Sequence, residues 1–193
     1  MRSIRSLAVF CGSRVGCNPV YAAAGRALGQ GLGQAGIRLV YGGGRIGIMG
    51  VVADAVLDAG GTVLGVIPEF LTQLEVAHQR ATEMVVTDTM HTRKTRLYEE
   101  SDAFLIMPGG LGTFDEAFEI ITWRQLGLHD KPILLCNVAG WAEPLVATID
   151  HAIKQGFADP TCGRLFEVVA DVPAVLQRLK TLAAGGPGHA ERM

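Results

Sequence analysis

Residues 103–119 read AFLIMPGGLGTFDEAFE, an apolar run that passes through a proline and a glycine turn into a helix-forming stretch. The run predicts a buried strand, and the residues after Gly112 predict a helix. Backbone N–H groups at such a turn, together with the helix dipole, favour binding of a phosphate. Glu116 follows about one helical turn later, so a carboxylate is expected beside the anion site. The pattern favours an enzyme that acts on a phosphorylated substrate.

Apolar runs and helix-forming stretches alternate along the rest of the chain. Strands are predicted at residues 7–11, 37–41, 62–67, 84–87, 102–107, 132–137 and 166–169, and helices at 19–34, 48–59, 90–100, 113–126, 143–155 and 172–182. Several strands are apolar on both faces, which is typical of a parallel sheet covered by helices on both sides. We therefore expect one α/β domain over residues 1–184, with a doubly wound, Rossmann-like parallel sheet, a polar loop at 69–83 and a flexible tail at 185–193.

Composition restricts the classes of function that this chain can have. Its 193 residues suffice for one full core, and 49% hydrophobic against 19% charged residues indicates a globular protein. The net charge of −2 and the scattered lysines and arginines argue against a nucleic acid partner and favour a small ligand. No apolar run reaches the ~20 residues that a membrane helix needs, so no membrane partner is expected.

Cysteines and histidines indicate neither a disulfide framework nor a metal site. No CxxC pair occurs among the cysteines, which are Cys11, Cys17, Cys136 and Cys162. Reduced thiols and a cytoplasmic location are therefore expected. His78 and His129 lack the spacing of metal ligands, and His91 is expected at the surface or at a helix cap. The sequence therefore predicts no metal and no other cofactor.

Glycines follow three of the predicted strands, at 12, at 42–44 and at 109–112. Because the carboxyl ends of parallel strands meet at one edge of the sheet, these loops could together form a phosphate-binding crevice. The alternative is that each glycine only permits a tight turn. Gly42, Gly44 and Gly47 also have the GxGxxG spacing of a dinucleotide site. That signal is weak, because it falls on the second strand unit and no acid ends the following strand.

Charged residues near the glycine turn are the candidates for chemistry. Arg93 and Lys94 lie in the first half of the helix predicted at 90–100 and could reach the same edge, although a solvated basic helix face is the alternative. Glu116 and Glu119 share a helix face while Asp115 is expected to point elsewhere. These acids could merely complement the helix dipole, or one could stabilise a cationic transition state or activate water. Glu75 is a further candidate if the polar loop folds over the crevice.

At this point the motifs resemble those of a known family. Residues 108–116, PGGLGTFDE, fit the PGGxGTxxE motif of the Lonely Guy family, the cytokinin riboside 5′-monophosphate phosphoribohydrolases. Three further segments match in order and spacing: GGGRIGIMG at 42–50, MHTRK at 90–94 and ITWRQLGLHDKP at 121–132. The resemblance extends across nearly the whole chain, and its most specific part is the glycine motif with the upstream Arg-Lys pair.

The resemblance implies hydrolysis of the N-glycosidic bond of an adenosine 5′-monophosphate, N6-modified or plain, to a free base and ribose 5-phosphate. Arg93 and Glu116 would be the catalytic pair, and no cofactor would be needed. The resemblance to small members of the family, which form homodimers with the site near the interface, implies that this protein is a homodimer. Arg45 departs from plant members, which commonly have a small residue there, and this leaves the base specificity open. The nucleotide would be held by Glu75, Lys94, Gly110, Leu111, Gly112, Thr113 and Thr122.

Two other functions stay open from the sequence. Lysine decarboxylation, an older label for this family, needs a Schiff-base lysine for pyridoxal phosphate. None of the lysines lies in a recognisable cofactor context; they are Lys94, Lys131, Lys154 and Lys180. The fold also resembles that of molybdenum cofactor carrier proteins, so a non-catalytic nucleotide or cofactor carrier is the alternative. Retention of both Arg93 and Glu116 favours the hydrolase.

Overall fold

Seven parallel strands form one sheet in the computed structural model, which describes residues 4–72 and 77–184. The strands are β1 (Ser6–Phe10), β2 (Arg38–Tyr41), β3 (Val63–Pro68), β4 (Glu83–Thr87), β5 (Ala103–Ile106), β6 (Ile133–Cys136) and β7 (Glu167–Val169). Their order is β4-β3-β2-β1-β5-β6-β7, and every neighbouring pair runs parallel. The predicted doubly wound parallel sheet is confirmed.

Helices cover both faces of this sheet. They are α1 (Pro19–Ala35), α2 (Gly47–Asp58), α3 (Met90–Glu99), α4 (Leu111–Gln125), α5 (Glu143–Lys154) and α6 (Val172–Ala184). Neighbouring strand residues such as Leu7 and Ala8 point to opposite faces, and both are fully buried. Leu7 packs in a core with α1, α2 and α6, and Ala8 in a second core with α3, α4 and α5. Within the described ranges, no helix has the length and apolar character to cross a membrane.

The ends of α1 and α4 follow from their capping residues. Asn18 accepts a hydrogen bond from the Val20 N–H at 3.0 Å, and Gly36 ends α1 with φ of 66°. Helix α4 begins at Leu111, earlier than the predicted start at Thr113, because the extended Gly110 occupies the cap position. Leu111 and Gly112 therefore belong to the first helical turn.

The polar segment at 69–83 is described only in part. It opens with a short 3-10 helix at Glu69–Leu71, and β4 already begins at Glu83. Residues 73–76, which include the candidate Glu75, lie outside the described residues, as does the predicted tail at 185–193.

The order of the strands places a switch point between β1 and β5. From this central pair, β2 to β4 continue to one edge of the sheet, and β6 and β7 to the other. Ligands of doubly wound proteins bind beyond the carboxyl ends of strands at such a point. The Gly12 N–H donates to the Pro108 carbonyl at 3.0 Å, which joins the loop after β1 to the glycine turn after β5. The glycine turn therefore lies at the expected place for a ligand.

His129 is held in its neutral form by hydrogen bonds with α4 and with the loop that follows it. Its Nδ1 accepts from the Lys131 N–H at 3.2 Å, and its Nε2 lies 2.9 Å from the Ile120 carbonyl. Since a carbonyl can only accept, Nε2 carries the proton and Nδ1 must stay unprotonated. The ring also packs against Tyr98 and Phe104, with centroids 5.6 Å away in both cases.

Acidification is expected to destabilise the fold through His129. Burial, reinforced by the charges of Arg124 and Lys131, lowers the pKa of His129 below its ordinary value. The unfolded state then binds more protons, so the stabilisation is complete above about pH 6.5 and is lost as the pH falls below it. His129→Gln should weaken the pH dependence of the free energy of unfolding, measured with urea between about pH 7.5 and 5. His151→Gln, at an exposed position, is the control, and equal pH slopes in both variants would contradict the assignment.

Candidate active site

Arg93 and Glu116, the predicted catalytic pair, form a buried ion pair. Thr89 caps α3 by accepting from the Thr92 N–H at 3.1 Å, and Arg93 follows at the end of the first turn. The Arg93 Nε donates to the Val66 carbonyl of β3 at 3.2 Å, and its Nη1 lies 2.9 Å from Glu116 Oε1. Only 7% and 10% of the two side chains are exposed. The fold thus joins residues from two helices and one strand.

A buried charge of each sign makes this ion pair sensitive to the loss of either member. Taking both groups out of water is costly, and their mutual attraction in a poorly solvated site offsets that cost only while both are present. Cys11, at the end of β1, is close enough to respond to the same charge. Burial, together with the negative charge of Glu116, raises the pKa of the Cys11 thiol far above its ordinary range. Cys11 is therefore a neutral thiol.

Lys94 faces two carboxylates of α4. Its Nζ lies 2.8 Å from Asp115 Oδ2 and 3.2 Å from Glu119 Oε2. Burial lowers the pKa of Lys94, but the two carboxylates outweigh this effect, and the pKa is raised overall. Asp115, expected to point elsewhere, reaches the same ammonium group as Glu119, because the two acids stand four residues apart on the helix. A phosphate at Lys94 would have to compete with both acids.

A crevice of about 570 Å³ lies at the switch point of the sheet. The loop after β1 and the glycine turn form two of its sides, so two of the three predicted glycine loops meet there. Thr113 is buried behind this wall, where its side chain fills the space beside Gly109. Arg93 and Glu116 are not part of the wall, but Glu116 stands on the same helix as Leu111, which is. The wall includes Gly12, Tyr21, Ile48, Gly109, Gly110, Leu111 and Trp141.

The third glycine loop, at 42–44, is not part of the crevice wall. Its continuation into α2 supports the wall instead, because the Ile48 N–H donates to the Gly12 carbonyl at 2.9 Å. Gly47 has φ of 68°, and a Cβ there would collide with the backbone of Ser13 and Arg14. This loop therefore does not contribute to the predicted phosphate-binding crevice.

Thr122 and Arg45 do not belong to the crevice wall either. Thr122 is exposed on α4, about two turns beyond Glu116. Arg45 lines a separate groove of about 580 Å³ beside α1 and α2, with Arg26, Asp54 and Asp58. The charge of Arg45 is therefore directed to that groove.

Sequence reasoning missed the aromatic part of the crevice. Tyr21 on α1 and Trp141 before α5 both contribute to its wall. Trp141 stacks on Phe114 with ring centroids 5.6 Å apart and an interplanar angle of 11°. No motif links these residues, which lie far apart in the chain and reach the same crevice only because β1, β5 and β6 lie side by side in the sheet. Among the described residues, no cluster of three or more histidines, cysteines and acids could hold a metal.

Fold and site together define a Rossmann-like α/β protein in which a glycine turn lines a crevice at the switch point, and the helix after this turn carries the glutamate of a buried Arg-Glu pair. A family model described as "possible lysine decarboxylase" matches residues 49–179. A cytokinin riboside 5′-monophosphate phosphoribohydrolase of Rhodococcoides fascians is 42% identical over 178 residues, which cover 92% of this chain and 90% of that protein. One of Arabidopsis thaliana, with the same name, is 42% identical over 176 residues, covering 91% and 83%. The chain belongs to this family, the Lonely Guy family.

Solved structures share the fold at lower identity. A molybdenum cofactor binding protein of Rippkaea orientalis superposes with a TM-score of 0.71 at 20% identity, over 94% of this chain and 98% of that one. The molybdenum cofactor carrier protein of Chlamydomonas reinhardtii gives 0.70 at 21% identity, over 95% and 100%. At these identities the likeness concerns the fold alone.

The positions of the lysines do not fit a Schiff-base site. Lys94 is paired with two acids, and Lys154 and Lys180 are exposed on α5 and α6. Lys131 is buried, where its Nζ donates to the Tyr98 carbonyl at 2.6 Å and lies 3.8 Å from the centre of the Tyr98 ring. None of them belongs to the wall of the crevice.

Proposed function

We propose that this protein hydrolyses the N-glycosidic bond of an adenosine 5′-monophosphate, plain or N6-modified, and releases the free base and ribose 5-phosphate. The relatives that bear this activity in their names align with more than nine-tenths of the chain. The observation that carries the proposal is the buried ion pair of Arg93 and Glu116, whose glutamate stands on the helix that begins at the crevice.

Glu116 is assigned to the reacting sugar and water. As the bond between C1′ and the base nitrogen breaks, positive charge develops on the ribose, and a carboxylate stabilises it. The same carboxylate can orient the water whose oxygen bonds to C1′, and can take up the proton that this water releases. The base leaves with the electron pair of the broken bond and acquires a proton. Arg93 orients Glu116 and the nucleotide.

The glycine turn is assigned to the 5′-phosphate. Gly110 caps α4 in an extended conformation, so the first N–H groups of the helix lie at the crevice. A phosphate fixed there would supply remote binding energy that positions the sugar for reaction with Glu116. Tyr21 and Trp141 offer aromatic surface for the base. Binding roles are proposed, in addition, for Glu75, Lys94, Leu111, Gly112, Thr113 and Thr122.

Incubation of the purified protein with AMP and with isopentenyladenosine monophosphate tests the proposal. We expect chromatography to show release of free base, with ribose 5-phosphate in equal amount. The ratio of kcat/KM for the two substrates measures the preference for an N6 side chain. No release from either substrate would overturn the proposal, and nucleotide that stays bound and uncleaved would favour a carrier.

We propose that two copies pair through the exposed face of α4. Large apolar side chains are exposed along this helix and the residues after it: Leu111 (86% exposed), Phe118 (39%), Leu126 (66%) and Leu128 (63%). Such a face is costly to leave in water and is typical of an interface.

Light scattering tests this arrangement and should give twice the 20.5 kDa mass of the chain. Phe118→Asp should shift the protein to the monomer, whereas Phe157→Asp, at an exposed position on another surface, should not. A wild-type monomer at micromolar concentration would contradict this arrangement.

A cytoplasmic location is proposed from the state of the cysteines. All of them are free thiols, and Cys11, Cys136 and Cys162 are buried, as expected where disulfides do not form. Fractionation of cells with an antibody against the protein would test the location. The near-neutral net charge supports a small-molecule partner over nucleic acid.

A further inference from the structure

Gly42 leaves a gap that the guanidinium group of Arg93 occupies. The glycine follows β2 and is buried. A Cβ on Gly42 would overlap the Arg93 Nη2, would lie 3.6 Å from the Arg93 Cζ, and would stand 3.3 Å from the sulfur of Met49. Gly42 is not among the glycines with positive φ, so the backbone would accept alanine. A side chain at position 42 would have no space, because the guanidinium group of Arg93 occupies it.

All three nitrogens of the guanidinium group therefore have a defined neighbour. Nε donates to the Val66 carbonyl at 3.2 Å, Nη1 lies 2.9 Å from Glu116 Oε1, and Nη2 lies against Gly42. Because the guanidinium group is planar and rigid, a push on Nη2 must move Nη1 as well. A side chain at position 42 would thus disturb the ion pair between Arg93 and Glu116.

We propose that Gly42 is a positioning residue for the reaction, and that it acts by letting Arg93 hold Glu116 in the reactive orientation. This inference rests on the proposed hydrolase function and adds a residue to it. It also gives the segment GGGRIGIMG a function beyond the turn itself. Displacements of about 1 Å in a catalytic group can cost on the order of a hundredfold in rate.

Gly42→Ala is the first test, with Gly25→Ala as its matched control. Gly25 is also buried, and a Cβ there would meet only side chains of α2, the nearest being Ile48 Cγ2 at 3.1 Å. We expect Gly42→Ala to lower kcat with AMP by at least about tenfold with a smaller change in KM, because the change affects orientation. Gly25→Ala should keep kcat within about twofold. Equal loss in both variants would overturn the proposal.

A double-mutant cycle with Arg93→Lys separates positioning from general damage to the fold. Lysine has no second terminal nitrogen, so the collision with a side chain at position 42 disappears. We expect Gly42→Ala to change kcat by less than about twofold in the Arg93→Lys background, a clear departure from additivity. The same cycle in urea unfolding should show that Gly42→Ala lowers the folding equilibrium constant at least about fivefold more when Arg93 is present.

The activity measurement and the unfolding measurement together distinguish a failure of the proposed hydrolase function from a failure of the positioning role of Gly42. A wild-type protein that releases no base overturns the hydrolase function, and the unfolding cycle still decides whether Gly42 positions Arg93. Additive effects of the two substitutions in both arms would overturn the positioning role while leaving the function intact.

Discussion

Glu116→Gln is expected to slow release of free base from AMP by about a thousandfold, since the amide keeps the shape of the side chain but loses its negative charge. The uncharged group can neither stabilise the developing positive charge on the ribose nor take a proton from water. The loss should appear mainly in kcat, because Glu116 is assigned to the transition state. Initial rates at saturating AMP, followed by chromatography, give the value directly.

Glu99→Gln is the control for this substitution. Glu99 is an exposed carboxylate at the end of α3, so its removal should leave kcat nearly unchanged. The Glu116 variant also leaves Arg93 without its charged partner, so its unfolding should be followed in parallel and the rates measured where it remains folded. Near-normal turnover by a folded Glu116→Gln protein would remove Glu116 from the mechanism.

Replacing the whole ion pair is expected to separate stability from activity. Arg93→Met alone and Glu116→Leu alone should each lower the free energy of unfolding by about 3–5 kcal/mol, because each leaves one buried charge uncompensated. The double variant should recover to within about 1 kcal/mol of the wild type, since apolar side chains of similar size need no partner. It should nonetheless release no base. Urea unfolding of the four proteins at pH 7 measures these differences.

The exposed pair of Arg178 and Glu167 provides the comparison. Its atoms are as close, at 2.7 Å, but its side chains are 35% and 45% exposed. Each single substitution there should cost less than about 1 kcal/mol, because water replaces the lost partner. Losses at Arg93 and Glu116 that simply add would show that the two groups do not depend on each other.

Local patterns predicted most of the fold, for identifiable reasons. The run at 103–107 has no polar side chain, so its residues can only be buried on both faces of a sheet. Asn18 and Pro19 mark the start of α1, because the Asn18 side chain accepts a hydrogen bond from the helix and proline is favoured at the first helical position. The predicted start of α4 at Thr113 is too late, because glycines at 110 and 112 are typical of a turn. In the structure Gly110 is the helix cap and Gly112 lies in the first turn of the helix.

The partners of the charged residues could not be predicted in the same way. Arg93 and Lys94 are adjacent in the chain, yet one pairs with Glu116 and the other with Asp115 and Glu119. Which acid each one meets depends on the rotation of α3 against α4, and both helices pack on the same face of the sheet. That rotation is set by side chains of the core and has no local signature.

The amino-acid sequence alone specified the alternation of strands and helices, the glycine turn at 108–112 and the family, because these depend on residue order over short spans. Folding was needed to bring Val66, Gly42 and Glu116 around the guanidinium group of Arg93, and to join Tyr21 to Trp141 across the crevice. These contacts link distant parts of the chain. They exist only once the order of the strands and the packing of the two cores have fixed the helices in place.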